Sequence, residues 1–380
     1  MIDEKRIVQN LKDFSFPRLS GTEFEKKSFN LVKKKIEELQ LTPKIQEFTY
    51  STFYSRIYPK ISLTVLSWLL IVLFLNIQVI FTILNLVLIL LLILILIKFT
   101  RNPEKIKIGR IYHSQNIFLK ISAQSNKINS DQNIFLFSHL DSKGQALSIK
   151  FRIMLYYIWI ISFPFSLFFI IFDSFVFCHA LFLVYIFAVL FLIINCFATL
   201  IIALNTTNNV SSGTIDNASG ISCVLELVLF YSNPENQLQN YNLWFVFTGA
   251  EESGTMGIRN FYNIIREYNR DKTFIINFDS IAKRVYLWDH GLINKKNFKA
   301  QNYILENNDI MSLEKAKKIY FGMYSDGLFL LNKKFQGLGN GDKSAYKYIH
   351  SVNDNIDKVD TTILKKLCHF YTILLKDIDK

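Results

Sequence analysis

From Ile61 to Ile97, and again from Phe151 to Leu204, the chain is almost unbroken hydrocarbon, while the sequence on either side of each run is polar. The first run is broken by the amides Asn76, Gln78 and Asn85, and the second has interruptions at Pro164, Asp173 and His179. A single straight helix over 61–97 would be about 55 Å long, far more than the roughly 30 Å of a bilayer core. Each run therefore reads as a helical hairpin of two spans, one turning near Asn76 to Gln78 and the other near Asp173. Two buried helices of a soluble core are the alternative, but such long apolar runs are rare there. Composition points the same way: hydrophobic residues make up 51% of the 380 and charged residues 19%, below the usual quarter.

The remaining sequence is organised around these insertions. Residues 3–16 and 22–40 read as helices, with Thr22 and Glu25 as a candidate capping box. Lys44–Tyr50, Arg110–Ser122, Gln132–Ser138, Asn242–Thr248, Thr273–Phe278, Val285–Trp288 and Lys318–Phe321 read as strands. Helices are expected over Ile221–Tyr231, about Thr255–Tyr268 and Thr361–Leu375. Alternating strands and helices indicate a layered α/β domain. The expected division is a soluble domain in three pieces, 1–57, 100–150 and 205–380, separated by hairpins over 58–99 and 151–204. The N-terminus is charged and lacks the apolar core of a secretory signal, so the chain is expected to start in the cytosol. The formal charge of +12 is dispersed, with no basic and aromatic binding module, which argues against nucleic acid as a partner. Cys178, Cys196, Cys223 and Cys368 form no C-x-x-C pair and no disulfide framework.

Several polar residues stand where apolar strands end: His139 and Asp141, Glu251 and Glu252, Asp279 and His350. Asp216 stands in a loop that opens a buried helix. In α/β sheets, ligands gather beyond the carboxyl ends of the strands. Imidazoles with carboxylates and no thiolate suit zinc, with cobalt or manganese as possible substitutes. Taken singly each residue is weak: a lone His is more often a satisfied core or surface residue, and Asp-Asn-Ala-Ser-Gly can be a helix cap.

Taken in order, the motifs His139-Leu140-Asp141, Asp216-Asn217-Ala218-Ser219-Gly220, Gly249-Ala250-Glu251-Glu252, Asn277-Phe278-Asp279 and the late His350 resemble the dizinc exopeptidases of metallopeptidase family 28, the leucyl-type zinc aminopeptidases and their relatives. Arg18-Leu19-Ser20-Gly21, Gly254-x-x-Gly257-x-x-x-Phe261 and His350-Ser351-x-x-Asp354 extend the resemblance to nearly everything outside the apolar runs. It implies a three-layer α/β sandwich with a mixed central sheet. It also implies two zinc ions, one held by His139, Asp216 and Asp279 and the other by Asp216, Glu252 and His350. Glu251 is left as general base, and Asp141, two residues beyond His139, orients that imidazole. Ser325-Asp326-Gly327 departs from the family's Ser-Asp-His, which puts contacts to substrate in doubt and removes no metal ligand.

His139 and Asp216 must reach one metal, so the chain between them crosses a bilayer an even number of times, which one hairpin satisfies. Lys98, Arg101, Lys105 and Lys107 flank the first hairpin and Lys143, Lys150 and Arg152 the second, while the turns near Asn76 and Asp173 have no Lys or Arg. By the positive-inside rule, the peptidase and both termini of this four-span integral membrane protein face the cytoplasm. The expected activity is removal of N-terminal residues from peptides. Carboxypeptidase action, a one-metal glutaminyl-cyclase-like reaction and a catalytically inactive scaffold remain open at this point.

Overall fold

The computed structural model describes residues 1–75, 78–125, 132–173, 182–293, 299–315 and 325–380. In chain order the main elements begin with helices α1 (Glu4–Phe14) and α2 (Glu23–Glu37), strand β1 (Lys44–Ser51), and helices α3 (Tyr58–Leu75) and α4 (Val79–Phe99). Strands β2 (Ile111–Ile121), β3 (Asn133–His139) and the two-residue β4 (Gly144–Gln145) precede helices α5 (Ile149–Ile171) and α6 (Phe182–Leu204). After the short β5 (Thr207–Asn208) come α7 (Ser219–Ser232), β6 (Asn242–Thr248), α8 (Met256–Ile265), β7 (Thr273–Phe278) and β8 (Val285–Asp289). Helix α9 (Lys299–Glu306), β9 (Met311–Lys315), α10 (Asp326–Asn332), β10 (Gln336–Gly341) and α11 (Thr361–Ile378) complete the chain. The fold divides into two units, one made of residues 1–50, 111–144 and 208–380, the other of 51–110 and 145–207.

Among the described residues, the first unit is built on an eight-stranded sheet of order β1-β2-β6-β3-β7-β10-β8-β9. Strand β3 lies between β6 and β7 and runs parallel to both, and β10 runs parallel to β7. Strand β2 is antiparallel to β6, and β8 to β10, so the sheet is mixed. Side chains alternate across these strands, as the pleat requires. Ile134, Leu136, Phe245, Phe247, Ile276 and Phe278 point into one core with α1, α2, α7 and α11. Phe135, Phe137, Trp244, Val246 and Ile275 point into a second, against Ile258, Phe261 and Ile265 of α8 and Leu330 of α10. With both faces covered, β3, β6 and β7 are mostly apolar, and the architecture is the expected three-layer sandwich.

Two features differ from expectation, and one expected strand falls outside the described residues. Strand β10 is not legible in the sequence because it reads Gln-Gly-Leu-Gly-Asn-Gly; a Cβ at Gly337 would sit 1.8 Å from the Ile275 carbonyl oxygen, so close packing against β7 demands glycine. Strand β9 falls at Met311–Lys315, and the strand expected at Lys318–Phe321 lies outside the described residues. Thr22 makes no side-chain cap to α2; its hydroxyl donates to the Leu19 carbonyl instead.

Among the described residues, the second unit contains four helices that are long and apolar enough to cross a membrane, Phe53–Leu75, Val79–Phe99, Ile149–Ile171 and Phe182–Leu204. Their packing includes a buried polar knot: Ser67 Oγ donates to Asn195 Oδ1 at 2.6 Å, and Trp159 Nε1 donates to Thr199 Oγ1 at 2.9 Å. These hydrogen bonds join α3 and α5 to α6. Asp173 is buried at the end of α5, whereas Asn76 and His179 lie outside the described residues.

Arg18 ties the N-terminal segment to the loops at the end of the sheet. It is fully buried, and its guanidinium donates to the carbonyls of Leu140 at 2.9 Å, Phe16 at 2.8 Å, Ser212 at 2.9 Å and Gly213 at 3.0 Å, and also to that of Phe14. Burial draws it down to about 10, against the attraction of Asp354, Asp141, Asp216 and Glu252. Arg18→Ala would leave several buried carbonyls without donors, which costs about 3 kcal/mol or more. The expected outcome is a clearly lowered melting temperature in detergent, with partial recovery in Arg18→Lys; an unchanged melting curve for the alanine variant would contradict the assignment.

Candidate metal centre

Parallel pairing puts the ends of β3, β6 and β7 at one edge of the sheet: His139 stands opposite Thr248, and Phe137 opposite Asn277. His139 closes β3, Glu251 and Glu252 open the turn after β6, and Asp279 follows β7. Asp216 and His350 come from elsewhere. Asp216 lies in the turn leading into α7, and His350 lies in a turn beyond the 3-10 segment Lys343–Lys347 with φ 62°, so it does not end a strand as the sequence suggested.

Asn217 explains much of the Asp-Asn-Ala-Ser-Gly motif. Its amide donates to Ser138 Oγ at 3.1 Å and the Phe278 carbonyl at 2.8 Å, while its oxygen accepts from Gly220 N at 3.1 Å. One buried side chain thus ties β3, β7 and the start of α7 together. Gly220 follows from this packing, since a Cβ there would lie 2.4 Å from Asn217 Oδ1 and 2.6 Å from the Phe278 oxygen. Asp354 completes the support, accepting from Ile215 N at 2.6 Å and Ser211 Oγ at 3.2 Å. Burial and the nearby Asp216 raise Asp354 to about 7.

Held in this way, Asp216 presents its two oxygens to different imidazoles: Oδ1 is 3.0 Å from His139 Nε2 and Oδ2 is 3.3 Å from His350 Nε2. His139 Nε2 is also 3.7 Å from Asp279 Oδ1, and His350 Nε2 is 2.8 Å from Glu252 Oε1. The trios His139, Asp216, Asp279 and Asp216, Glu252, His350 each gather their ligand atoms within 4.8 Å, so each can hold a metal ion, with Asp216 common to both. Although burial opposes it, the two histidines hold Asp216 well below the usual carboxylate range. Burial likewise works against Glu252, yet His350 and Lys143 keep it at about 2. Glu251 differs: burial, reinforced by Glu252, Asp326 and Asp279 against the pull of His139, raises it well above its ordinary value.

Asp141 is deployed differently from the sequence reading. His139 Nδ1 meets the Asp141 backbone carbonyl at 3.1 Å, while the nearest carboxylate oxygen is 3.6 Å away. The carboxylate instead accepts from Glu251 N and Glu252 N, both at 3.0 Å, and from Ser20 Oγ at 2.6 Å. Glu25, a capping candidate by its spacing, turns inward to accept from Ala250 N at 2.7 Å, Ser114 Oγ at 2.8 Å and Gly21 N at 2.7 Å. Two buried acids therefore hold the backbone of the turn that carries Glu251 and Glu252. Burial and Asp141 together push Glu25 up to about 8.

Comparison with known proteins bears directly on this arrangement. Residues 198–372 match the model of peptidase family M28. That segment belongs to peptidase family M28. The chain is accordingly an enzyme of the peptidase class, and the M28 segment contains Asp216, Glu251, Glu252, Asp279 and His350. His139 and Asp141 precede it and join through the fold. A zinc aminopeptidase from Bacillus subtilis is similar in structure with a TM-score of 0.57 and 12% identity, covering 100% of this chain and 95% of its own. An aminopeptidase from Aneurinibacillus sp. strain AM-1 gives 0.55 at 12% identity over 99% and 93%. A glutaminyl cyclase from Fimbriiglobus ruber gives 0.52 at 13% over 99% and 95%. No curated protein matches significantly by sequence.

Asp141→Ala would leave two buried amides without an acceptor and free the Glu251–Glu252 turn. Loss of an outer partner of this kind typically weakens metal binding 10–100-fold. Equilibrium dialysis of the variant against zinc should show that loss, and wild-type retention would argue that the turn holds itself.

Proposed function

We propose that this protein is an integral membrane zinc exopeptidase that removes N-terminal residues from peptides. The observation that carries the reading is the division of Asp216 between His139 and His350. A shared carboxylate of that kind suits two cations in one site. Two imidazoles and three carboxylates without a thiolate fit zinc, with cobalt or manganese as substitutes. His139, Asp216 and Asp279 would hold one ion, and Asp216, Glu252 and His350 the other. When bound, zinc polarises a carbonyl and acidifies water.

The chain's own residues do the rest. Glu251 serves as general base, taking a proton from the attacking water and returning it to the departing amine. Burial raises its affinity for a proton, which suits the uptake from water. Asp141 positions it through the amides of Glu251 and Glu252.

Membrane attachment rests on the four long apolar helices. A cytoplasmic peptidase is supported by Lys98, Arg101, Lys105 and Lys107 beside one hairpin and Lys150 and Arg152 beside the other. In sealed inside-out vesicles, an added protease should therefore cut an epitope fused after Lys380; protection of the tag would reverse the orientation. A second reading, a one-zinc enzyme acting like a glutaminyl cyclase, is favoured by the similarity to the Fimbriiglobus protein.

The decisive test is release of new amines from a peptide pool by detergent-purified protein. Glu251→Gln should lower turnover by about 10²-fold or more while zinc content and melting temperature stay near wild type. An N-acetylated peptide should resist cleavage where its free-amine counterpart is trimmed. Equal cleavage of both would favour a carboxypeptidase, and cyclisation of N-terminal glutamine without hydrolysis would favour the second reading. No turnover by folded, zinc-loaded protein would make the inactive scaffold the better account.

A further inference from the structure

Lys143 follows Ser142, whose backbone is anchored to Arg18: Ser142 N donates to the Arg18 carbonyl at 3.0 Å, and Arg18 N to Ser142 Oγ at 2.9 Å. From this fixed base the lysine turns inward, with its side chain only 14% exposed. Its Nζ lies 2.6 Å from Glu252 Oε2 and 3.4 Å from the Glu252 carbonyl oxygen. The other carboxylate oxygen, Oε1, faces His350 at 2.8 Å. Glu252 is thus divided between a candidate metal trio and an ammonium. Among the described residues no Lys or Arg side chain stands within 4.0 Å of Asp216 or Asp279. The two trios share Asp216, so this cation distinguishes them.

We propose that Lys143 is a positioning residue that makes the two metal sites unequal, with the trio of Asp216, Glu252 and His350 the weaker and more readily exchanged. This rests on the two-zinc reading above. An ammonium on Oε2 takes lone pairs that a metal would otherwise share and repels a second cation across a short distance in a buried site. It also leaves Glu252 only Oε1 to offer. The trio of His139, Asp216 and Asp279 has no such competitor. The enzyme then fills the His139 side first and carries its full metal complement only when zinc is sufficiently available.

Competition between the full-length, detergent-purified protein and a chromophoric zinc chelator tests this without reference to turnover. Wild type should bind two zinc equivalents with unequal dissociation constants, and His350→Gln should remove the weaker one. Lys143→Met should tighten that weaker equivalent by about 10-fold or more, within the range typical of outer partners, while Lys143→Arg should keep the wild-type gap. A single equivalent in wild type that becomes two in Lys143→Met would also support the inference. The role of Lys143 is overturned if the gap is unchanged or widened in Lys143→Met, if the two wild-type equivalents are equal, or if one equivalent persists in both proteins. Failure of wild type to bind any zinc would defeat the two-zinc reading itself, and the inference with it.

Discussion

Too much negative charge in one buried place is the condition around which this protein is built. Asp141, Asp216, Glu251, Glu252, Asp326 and Asp354 are all nearly inaccessible to water, and Glu25 lies beside Asp141. Carboxylates in low dielectric repel one another and resist ionisation unless donors or cations reach them. The structure answers in three ways. Backbone amides serve Asp141, Glu25 and Asp354; imidazoles serve Asp216 and Glu252; Arg18 and Lys143 contribute positive charge from either side. Burial nevertheless raises Glu251 and Asp326, the latter to about 7, as it raises Glu25 and Asp354. The gathered carboxylates and the imidazoles, amides and cations around them are thus parts of a single electrostatic problem.

The same problem explains which parts of the site are legible in the sequence. His139, Asp216, Glu251, Glu252 and Asp279 stand out because, although each alone has a bland reading, together they put imidazole and carboxylate groups at the ends of several apolar strands and in the turn opening an apolar helix. The supporting residues are less visible because their roles depend on contacts far away in the chain. Glu25 three residues after Thr22 has the spacing of a capping box, and nothing local reveals that it bonds to Ala250 across 225 positions. Asp141 is conspicuous beside His139, yet sequence spacing does not distinguish its carboxylate from its carbonyl as the partner of that imidazole. Lys143 looks like one of several cations beside an apolar run; only the structure brings it to Glu252.

Fold legibility follows a similar rule. Central strands buried on both faces announce themselves as continuous apolar runs, and β3, β6 and β7 are readable to within a residue or two. Strand β10 is as central as they are but is built from alternate glycines, because its backbone lies too close to Ile275 to admit side chains at Gly337. Its strand character comes from its neighbours, so local propensity and hydrophobic period are both silent. His350 shows the reverse case: its identity is readable, but its place in a left-handed turn is not.

Arg18 also bears on how a long apolar insertion can interrupt a site without dispersing it. The chain leaves the peptidase unit after Gly144 and returns at Asn208, and the two departing arms carry His139 to Lys143 on one side and Ser211 to Asp216 on the other. Arg18 holds the Leu140 carbonyl on the outgoing arm and those of Ser212 and Gly213 on the returning arm. Ser142 Oγ adds a bond to the Ser211 carbonyl at 3.3 Å, and Asn209 Oδ1 accepts from Leu19 N at 2.9 Å. The two ends are therefore clasped to each other through the Arg18 turn, inside the peptidase unit. Once the ends are fixed, lengthening what lies between them adds only slowly to the entropy of closing the loop. The clasp, with the ties from Asn217 and Asp354, holds the segments that carry His139 and Asp216, whose facing atoms are 3.0 Å apart, so the insertion can be read as an addition to the site.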